Sequence, residues 1–265
     1  MPSSYLEKLF SLEGHLAVVT GGTRGIGQSM ALALAGAGSD VILVQRDEGN
    51  LETKKKIEEM GRKAYVYLAD MADQEQVEGL AKKILEDDGH DVDILVTCAG
   101  IQRRHPAHQF PMNDWHDVLQ VDLTAVWTLN RDFGAYFLTR KPDVTTGRRG
   151  AIINVASLLS FQGGLNVPAY AAAKGGVAQL TKALSNQWAA DGINVNAIAP
   201  GYIATDMNEA LIADEARYAS ILERIPAGKW GTPQDFEGAT VFLAGAGCRY
   251  VSGEILTVDG GWMGR

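Results

Sequence analysis

Seven short apolar runs, rich in β-branched residues, recur along the chain with helix-forming segments between them, and this alternation restricts the fold more than any other feature. They lie near residues 16–20, 41–45, 64–68, 94–97, 151–155, 194–199 and 255–258. Each is continuously apolar rather than alternating, which implies burial on both faces, as in strands of a parallel sheet covered by helices. The expectation is an α/β fold with one doubly wound, seven-stranded parallel sheet and helices on both faces. Right-handed crossovers then bring the carboxyl ends of the strands to one edge, where such sheets bind ligands. The 265 residues exceed the usual length of a domain, but a sheet of this kind holds them around one core, so a single domain over residues 1–265 is expected.

The net charge of -8 repels phosphate backbones and anionic lipid surfaces, so nucleic acid and membrane are set aside as main partners. Residues 1–14 lack a long apolar core and carry Glu7 and Lys8, which fits neither a signal peptide nor an anchor. The two cysteines, Cys98 and Cys248, sit in apolar stretches and read as reduced buried thiols, so a cytoplasmic location is expected. Residues 142–150 read as a polar loop rather than a linker. Residues 208–224 form a polar, amphipathic helical segment after the sixth strand, and the stretch around 203–228 is expected to serve as a substrate lid.

The first strand, Leu16-Ala17-Val18-Val19-Thr20, passes directly into Gly21-Gly22-Thr23-Arg24-Gly25-Ile26-Gly27 and then into a segment rich in Ala and Leu. Glycines at 21, 25 and 27 permit a tight turn, close backbone approach and close helix packing, while the helix amino terminus attracts a pyrophosphate. Asp70 and Met71 follow the third strand, and Ala99 and Gly100 follow the fourth, all on the same edge. Asp70 either accepts a hydrogen bond from an adenine amino group or caps the next helix. Gly100 would let the backbone pass close to a nicotinamide ribose.

Pro168 suits the first position of a helix, and residues 169–190 are dominated by helix formers. Tyr170 and Lys174 then share a face, one turn apart. A free tyrosine has a pKa of about 10 and shuttles protons poorly near neutrality unless a cation favours its phenolate. Lys174 would supply that cation and also reach a nicotinamide ribose. Ser157 follows the fifth strand on the same edge, where its hydroxyl would orient a substrate oxygen.

These segments together resemble the short-chain dehydrogenase/reductase family, whose fold is the single-domain Rossmann type. The resemblance is carried by Thr20-Gly21-x3-Gly25-x-Gly27, Ala99-Gly100, Ser157, Tyr170-x3-Lys174 and Pro200-Gly201, and it spans nearly the whole chain. It implies catalytic roles for Ser157, Tyr170 and Lys174. Thr23, Arg24, Ile26, Ile203 and Thr205 then join the glycines, Asp70, Met71, Ala99, Gly100, Pro200 and Gly201 around the cofactor. Two positions depart from the family pattern. Asp122 stands where an Asn is usual, which would either alter the charge of a proton relay or leave the work to the backbone carbonyl. Thr97-Cys98 replaces Asn-Asn, which puts in doubt a side-chain bond between the central strands.

A carboxylate that would bind the ribose 2′-hydroxyl of NAD is missing from the second-strand ending, Val44-Gln45-Arg46. Arg46 and Arg24 could instead clamp a 2′-phosphate, or else pair with Asp47 or Glu48, and NADP(H) is expected in preference to NAD(H). Beside the hydride-transfer edge lie Arg103 and Arg104, which either hold a substrate carboxylate or belong to a solvated loop or a subunit contact, the latter favoured by spacing alone. Further segments containing Gln162, Trp230 and Trp262 resemble the subgroup of 2-dehydro-3-deoxy-D-gluconate 5-dehydrogenases and gluconate 5-dehydrogenases, although bacterial members of that subgroup tend to use NAD. The resemblance implies a small polar carbonyl or alcohol substrate, a keto sugar acid among the candidates, with Gln162 and Trp230 near it, no metal at His105 or His108, and a homotetramer. A general NADPH-dependent ketone reductase, an isomerase or lyase, and a redox-silent cofactor-binding sensor or scaffold remain the alternatives.

Overall fold

The computed structural model describes residues 4–144 and 146–265; Met1, Pro2 and Ser3 of the amino-terminal stretch and Thr145 of the 142–150 loop lie outside the described residues. All seven expected strands form: β1 (Leu16–Thr20), β2 (Asp40–Gln45), β3 (Ala64–Leu68), β4 (Ile94–Thr97), β5 (Gly150–Val155), β6 (Ile193–Pro200) and β7 (Ile255–Val258). They pair in parallel in the order β3-β2-β1-β4-β5-β6-β7, the doubly wound arrangement that the continuous apolar runs imply. β2 and β5 begin one residue earlier than expected and β6 extends by one residue at each end, because pairing partners draw in the ends: Leu16 opposite Asp40, Gly150 opposite Ile193, and Pro200 opposite Val258.

The helices are α1 (Tyr5–Phe10), α2 (Gly25–Gly36), α3 (Glu52–Glu59), α4 (Gln74–Lys82), α5 (Met112–Leu119), α6 (Ala125–Thr139), α7 (Pro168–Trp188), α8 (Glu209–Ile212), α9 (Glu215–Arg224) and α10 (Glu237–Ala244). They cover the sheet from two sides. Val19, Leu43, Val96 and Ile153 pack with Met30 and Leu34 of α2 and Leu243 of α10, while Val18, Ile42, Leu95 and Ile152 pack with Val77 of α4 and Phe133 and Phe137 of α6. Neighbours along each strand thus face opposite layers. Each fully buried side chain of this size contributes about 1.5–3 kcal/mol, and this burial fixes the strands whose carboxyl ends carry a site along one edge.

The 208–224 segment is not one helix. A 3-10 turn (Asp206–Asn208) leads into α8, and the chain restarts at α9 because the Asp214 carboxylate accepts a 3.0 Å hydrogen bond from the Arg217 N–H and caps a new amino terminus. Beneath these turns lies an apolar cluster of Leu158, Ile221, Ile225, Trp230 and Trp262. Tyr218 stacks on Trp230 with ring centroids 5.5 Å apart, and the Arg224 guanidinium lies 4.0 Å from the centre of the Trp262 ring. Helix α7 also ends earlier than its composition suggests, passing at Ala189–Asp191 into a 3-10 turn closed by Gly192 at φ 79°. Both cysteines are free, and no helix among the described residues is long and apolar enough to cross a membrane.

Candidate active site

The carboxyl end of β1 is built for close backbone approach. Gly21 has φ 70°, and a Cβ there would lie 2.9 Å from the Ala99 backbone; a Cβ on Gly27 would fall 2.3 Å from the Gly21 carbonyl oxygen. The Thr20 hydroxyl accepts hydrogen bonds from the N–H groups of Cys98 (3.1 Å) and Ala99 (3.2 Å), which locks the ends of β1 and β4 together. Above this floor α2 begins at Gly25, and its cap residue Arg24 makes no side-chain capping bond. An uncapped helix terminus over a floor with no room for a Cβ fits the pyrophosphate of a dinucleotide.

The other residues expected around such a ligand gather on the same edge. Arg46 follows β2, Asp70 and Met71 follow β3, Gly100 follows β4, and Pro200 and Gly201 close β6. The Thr205 side chain lies 3.5 Å from where a Cβ on Gly25 would stand, so the start of the 203–228 segment sits over the turn containing Thr23 and Ile26. Ile203, buried below it, bridges to Gly231. Asp70 does not cap α4; that position is held by Asp73, whose carboxylate accepts from the N–H groups of Glu75 and Gln76. Neither arginine pairs with Asp47 or Glu48. Arg24 pairs with Asp206 at 3.0 Å, and Arg46 lies 3.8 Å from Asp70.

Pro168 starts α7, so Tyr170 lies in its first turn and Lys174 one turn later, both buried. The Lys174 ammonium donates to the Val155 carbonyl at 2.9 Å, lies 3.4 Å from Asp122 Oδ2, and sits 5.6 Å from the centre of the Tyr170 ring. Ser157 caps the 3-10 turn Leu158–Ser160, its hydroxyl accepting from the Leu159 N–H at 3.1 Å, while the Ser160 hydroxyl donates to the Lys174 carbonyl at 2.6 Å. The turn after β5 is thereby fastened to α7. The expected lowering of the Tyr170 pKa is not what the surroundings produce. Burial pushes the phenol up, Lys174 pulls it down, Asp122 pushes it up again, and the balance is upward, with Ser157 adding a smaller pull toward the phenolate. Burial alone disfavours the Lys174 ammonium, yet Asp122 and then Tyr170 outweigh it and raise the lysine.

Asp122 lies in a π-helical turn, Gln120–Thr124, between α5 and α6, and its side chain is fully buried. Its Oδ1 accepts the Ile101 N–H at 2.7 Å, and its Oδ2 faces Lys174. The side chain, and not only the backbone, therefore belongs to the centre. Burial pushes its carboxyl above the usual range, against the pull of Lys174.

The tie between the central strands survives the loss of Asn-Asn. The Thr97 hydroxyl donates to Asn154 Oδ1 at 2.7 Å, the Asn130 amide donates to the same oxygen at 2.9 Å, and the Asn154 amide donates to Asn130 (3.2 Å) and to the Thr181 hydroxyl (3.1 Å). Sequence reasoning passed over Asn130, Asn154 and Thr181. A lone amide inside the apolar run Ala151-Ile152-Ile153-Asn154-Val155 was the available signal, because a buried amide needs partners from other elements.

On the open side the two candidate arginines diverge. Arg103 lies 3.7 Å from Asp114, which also meets His105 at 2.5 Å. Arg104 turns toward the 203–228 segment, with both terminal nitrogens 3.5 Å from the Met207 carbonyl. Burial lowers its pKa, Tyr170 raises it and Arg217 lowers it, so its charge is felt at the tyrosine. The Gln162 side-chain oxygen accepts the indole N–H of Trp262 at 3.1 Å, and Trp230 is buried against Tyr218.

A Rossmann sheet, a glycine-lined turn and a buried tyrosine–lysine pair define a nucleotide-dependent oxidoreductase, and residues 15–216 match the family described as short chain dehydrogenase. The chain belongs to that family and is an oxidoreductase, its curated relatives being dehydrogenases and reductases. It is 47% identical, over 98% of its length and 99% of the relative's, to a 2-dehydro-3-deoxy-D-gluconate 5-dehydrogenase of Bacillus subtilis. Among solved structures it is similar to a candidate NAD(P) dependent gluconate 5-dehydrogenase from Beutenbergia cavernae with bound NADP (44% identity, TM-score 0.91, 97% of this chain and 99% of that one). It also resembles a gluconate 5-dehydrogenase from Burkholderia cenocepacia in complex with NADP and tartrate (35% identity, TM-score 0.91, 98% and 100% covered).

Proposed function

We propose that this chain interconverts a keto sugar acid, such as 2-dehydro-3-deoxygluconate or 5-ketogluconate, and its alcohol with NADP(H) as the preferred cofactor. The observation that carries the reading is the Tyr170–Lys174 pair, buried beside a turn whose glycines leave room for a pyrophosphate. The names of the relatives support a sugar acid, and two of their structures hold NADP.

When bound, the nicotinamide dinucleotide supplies the hydride that the carbonyl carbon accepts. Gly21, Gly25 and Gly27 with the amino terminus of α2 hold the pyrophosphate, Asp70 and Met71 border the adenine, and Ala99, Gly100, Pro200, Gly201, Ile203 and Thr205 line the rest of the groove. Arg24 and Arg46 bind the 2′-phosphate after leaving Asp206 and Asp70. Lys174 holds the ribose and stays cationic. The Ser157 hydroxyl orients the carbonyl oxygen, and Tyr170 gives it a proton as the carbon is reduced; in the reverse direction the phenolate takes that proton back. Because burial raises Tyr170, the phenol stays protonated at neutral pH and is ready to act as an acid. Arg104 holds the substrate carboxylate beneath the lid at 203–228, with Arg103, Gln162 and Trp230 shaping that end. The chain works as a cytoplasmic homotetramer.

The test is turnover of keto sugar acids, ketoses and simple ketones with NADPH and NADH, followed by nicotinamide absorbance. A higher kcat/KM for keto sugar acids with NADPH is expected. A preference for NADH would overturn the cofactor assignment, a preference for uncharged ketones the substrate, and consumption of substrate without an absorbance change the redox chemistry.

A further inference from the structure

The charge at position 122 is out of proportion to a purely structural role. A neutral side chain would hold the π turn through the Ile101 N–H equally well, since that bond uses only one oxygen of Asp122. The second oxygen makes no hydrogen bond among the described residues and faces the Lys174 ammonium at 3.4 Å, with both side chains almost wholly out of solvent. Space around this oxygen is reserved as well: a methyl group at Gly100 would come within 3.2 Å of it.

We infer that Asp122 is a positioning residue that biases this centre toward carbonyl reduction, by pairing with Lys174 and favouring the protonated phenol of Tyr170. The argument is a count of buried charge. With the pair in its ionic form, which the 3.4 Å approach of the Lys174 ammonium favours against the upward push of burial, the centre is neutral, so removing the proton from Tyr170 leaves it with one uncompensated negative charge. With an amide at 122 the same step would bring the centre from +1 to neutral. In a site with little water the first step costs more. Lys174, the cation that should draw out the phenolate, is partly spent on the carboxylate.

The other groups facing the tyrosine do not reverse this. From the end of β4, the Cys98 thiol is pushed up to about 11 by burial and is neutral over the working range. From the following loop Arg104 favours the phenolate, but it is only partly buried and shares the space with Arg217 of α9. From the turn after β5, Ser157 offers a hydroxyl without charge. Among the described residues the Asp122 carboxylate is the one anion acting on the phenol through a low-dielectric path. The chemical step is unchanged in its balance: the carbonyl carbon gains a hydride, its oxygen gains the phenol proton, and the phenolate is reprotonated from solvent. What Asp122 sets is the pH at which the phenol still holds that proton.

This rests on the assignment of Tyr170 as the proton donor, and one set of variants separates the two claims. The measurement is kcat/KM against pH, in both directions, for wild type, D122N and Y170F, with the sugar acid that wild type turns over best. Reduction requires the phenol, so its rate falls at high pH; oxidation requires the phenolate, so its rate rises with pH. In D122N both limbs should move to lower pH by about one unit, the size expected when one near charge is removed. Limbs that stay in place in a folded D122N overturn the inference, while loss of turnover in Y170F leaves Tyr170 in its role. Full turnover in Y170F overturns both. If D122N does not fold, D122S removes the same charge with a smaller side chain and is read in the same way.

Discussion

Arg24, in the turn into α2, and Asp206, in the 3-10 turn before α8, meet across 182 residues of sequence with a nitrogen–oxygen distance of 3.0 Å. The contact joins the floor of the nucleotide groove to its cover. The two side chains are 74% and 61% exposed, so the pair holds loosely and is worth at most about 1 kcal/mol.

That looseness predicts a competition. Asp206→Asn releases Arg24 to a 2′-phosphate and should tighten NADPH by up to about fivefold while leaving NADH nearly unchanged, as expected from the strength of an exposed pair. Titration of cofactor fluorescence measures both constants. Equal tightening of the two cofactors would place Arg24 elsewhere.

Arg104 is the arginine whose charge reaches Tyr170, whereas Arg103 is drawn to Asp114. Arg104→Ala should raise KM for a keto sugar acid about 10- to 100-fold, the loss expected for a charged hydrogen bond, and change KM for an uncharged ketone little. Steady-state kinetics with both substrates on one enzyme sample check it; a similar loss for both would make the residue a support of the lid.

Gly27→Ala places a methyl group 2.3 Å from the Gly21 carbonyl oxygen, backbone that cannot swing aside. A stability loss of about 1–3 kcal/mol is expected from overpacking, together with loss of nucleotide binding. Thermal unfolding with and without NADPH reads both at once: the variant should melt lower and gain nothing from the nucleotide.

Asp93, just before β4, accepts the Leu16 N–H at 2.9 Å and meets Arg140 at 2.7 Å and His15 at 3.4 Å. Burial alone would raise its carboxyl, but His15, the Leu16 N–H and Arg140 outweigh it, and the pKa is lowered. A depressed folded-state value means the unfolded chain binds the proton more readily. The stabilisation is therefore complete above the ordinary carboxylate range of about pH 4 and disappears as pH falls through the folded value. Asp93→Asn should be less stable than wild type at neutral pH, and urea melts of the two should converge under strongly acidic conditions; a constant gap at all pH values would contradict the linkage.

Much of this was legible before any coordinates. Val18, Ile42, Leu95 and Ile152 announce a sheet buried on two sides, because no other arrangement hides such runs, and the spacing of Tyr170 and Lys174 announces a shared helix face. The proton affinity of Tyr170 was not legible. It is a sum over side chains that the π turn before α6, α7 and the ends of β4 and β5 bring together, and the lysine alone gives the wrong direction. Arg24 was seen as a cation in the right turn, but no local rule pairs it with a residue as distant as Asp206. The break before Asp214 was missed because amphipathic spacing continues through it, whereas the cap that restarts the helix is a single hydrogen bond.

The amides of Asn130 and Asn154 with the hydroxyls of Thr97 and Thr181 bind four elements, β4, α6, β5 and α7, through one buried set of hydrogen bonds. Asn154→Ala should cost about 2–4 kcal/mol, since it strands several buried partners, and the loss is read from chemical melts. The wider consequence is kinetic. Because α7 carries Tyr170 and Lys174, its middle turns cannot open without releasing strands on either side, so their amide protons should exchange with deuterium only as fast as the entire sheet comes apart. Among the described residues α8 and α9 have no such buried set of hydrogen bonds and should exchange in far less time. The enzyme would thus breathe at its cover while its chemistry stands on ground that does not move.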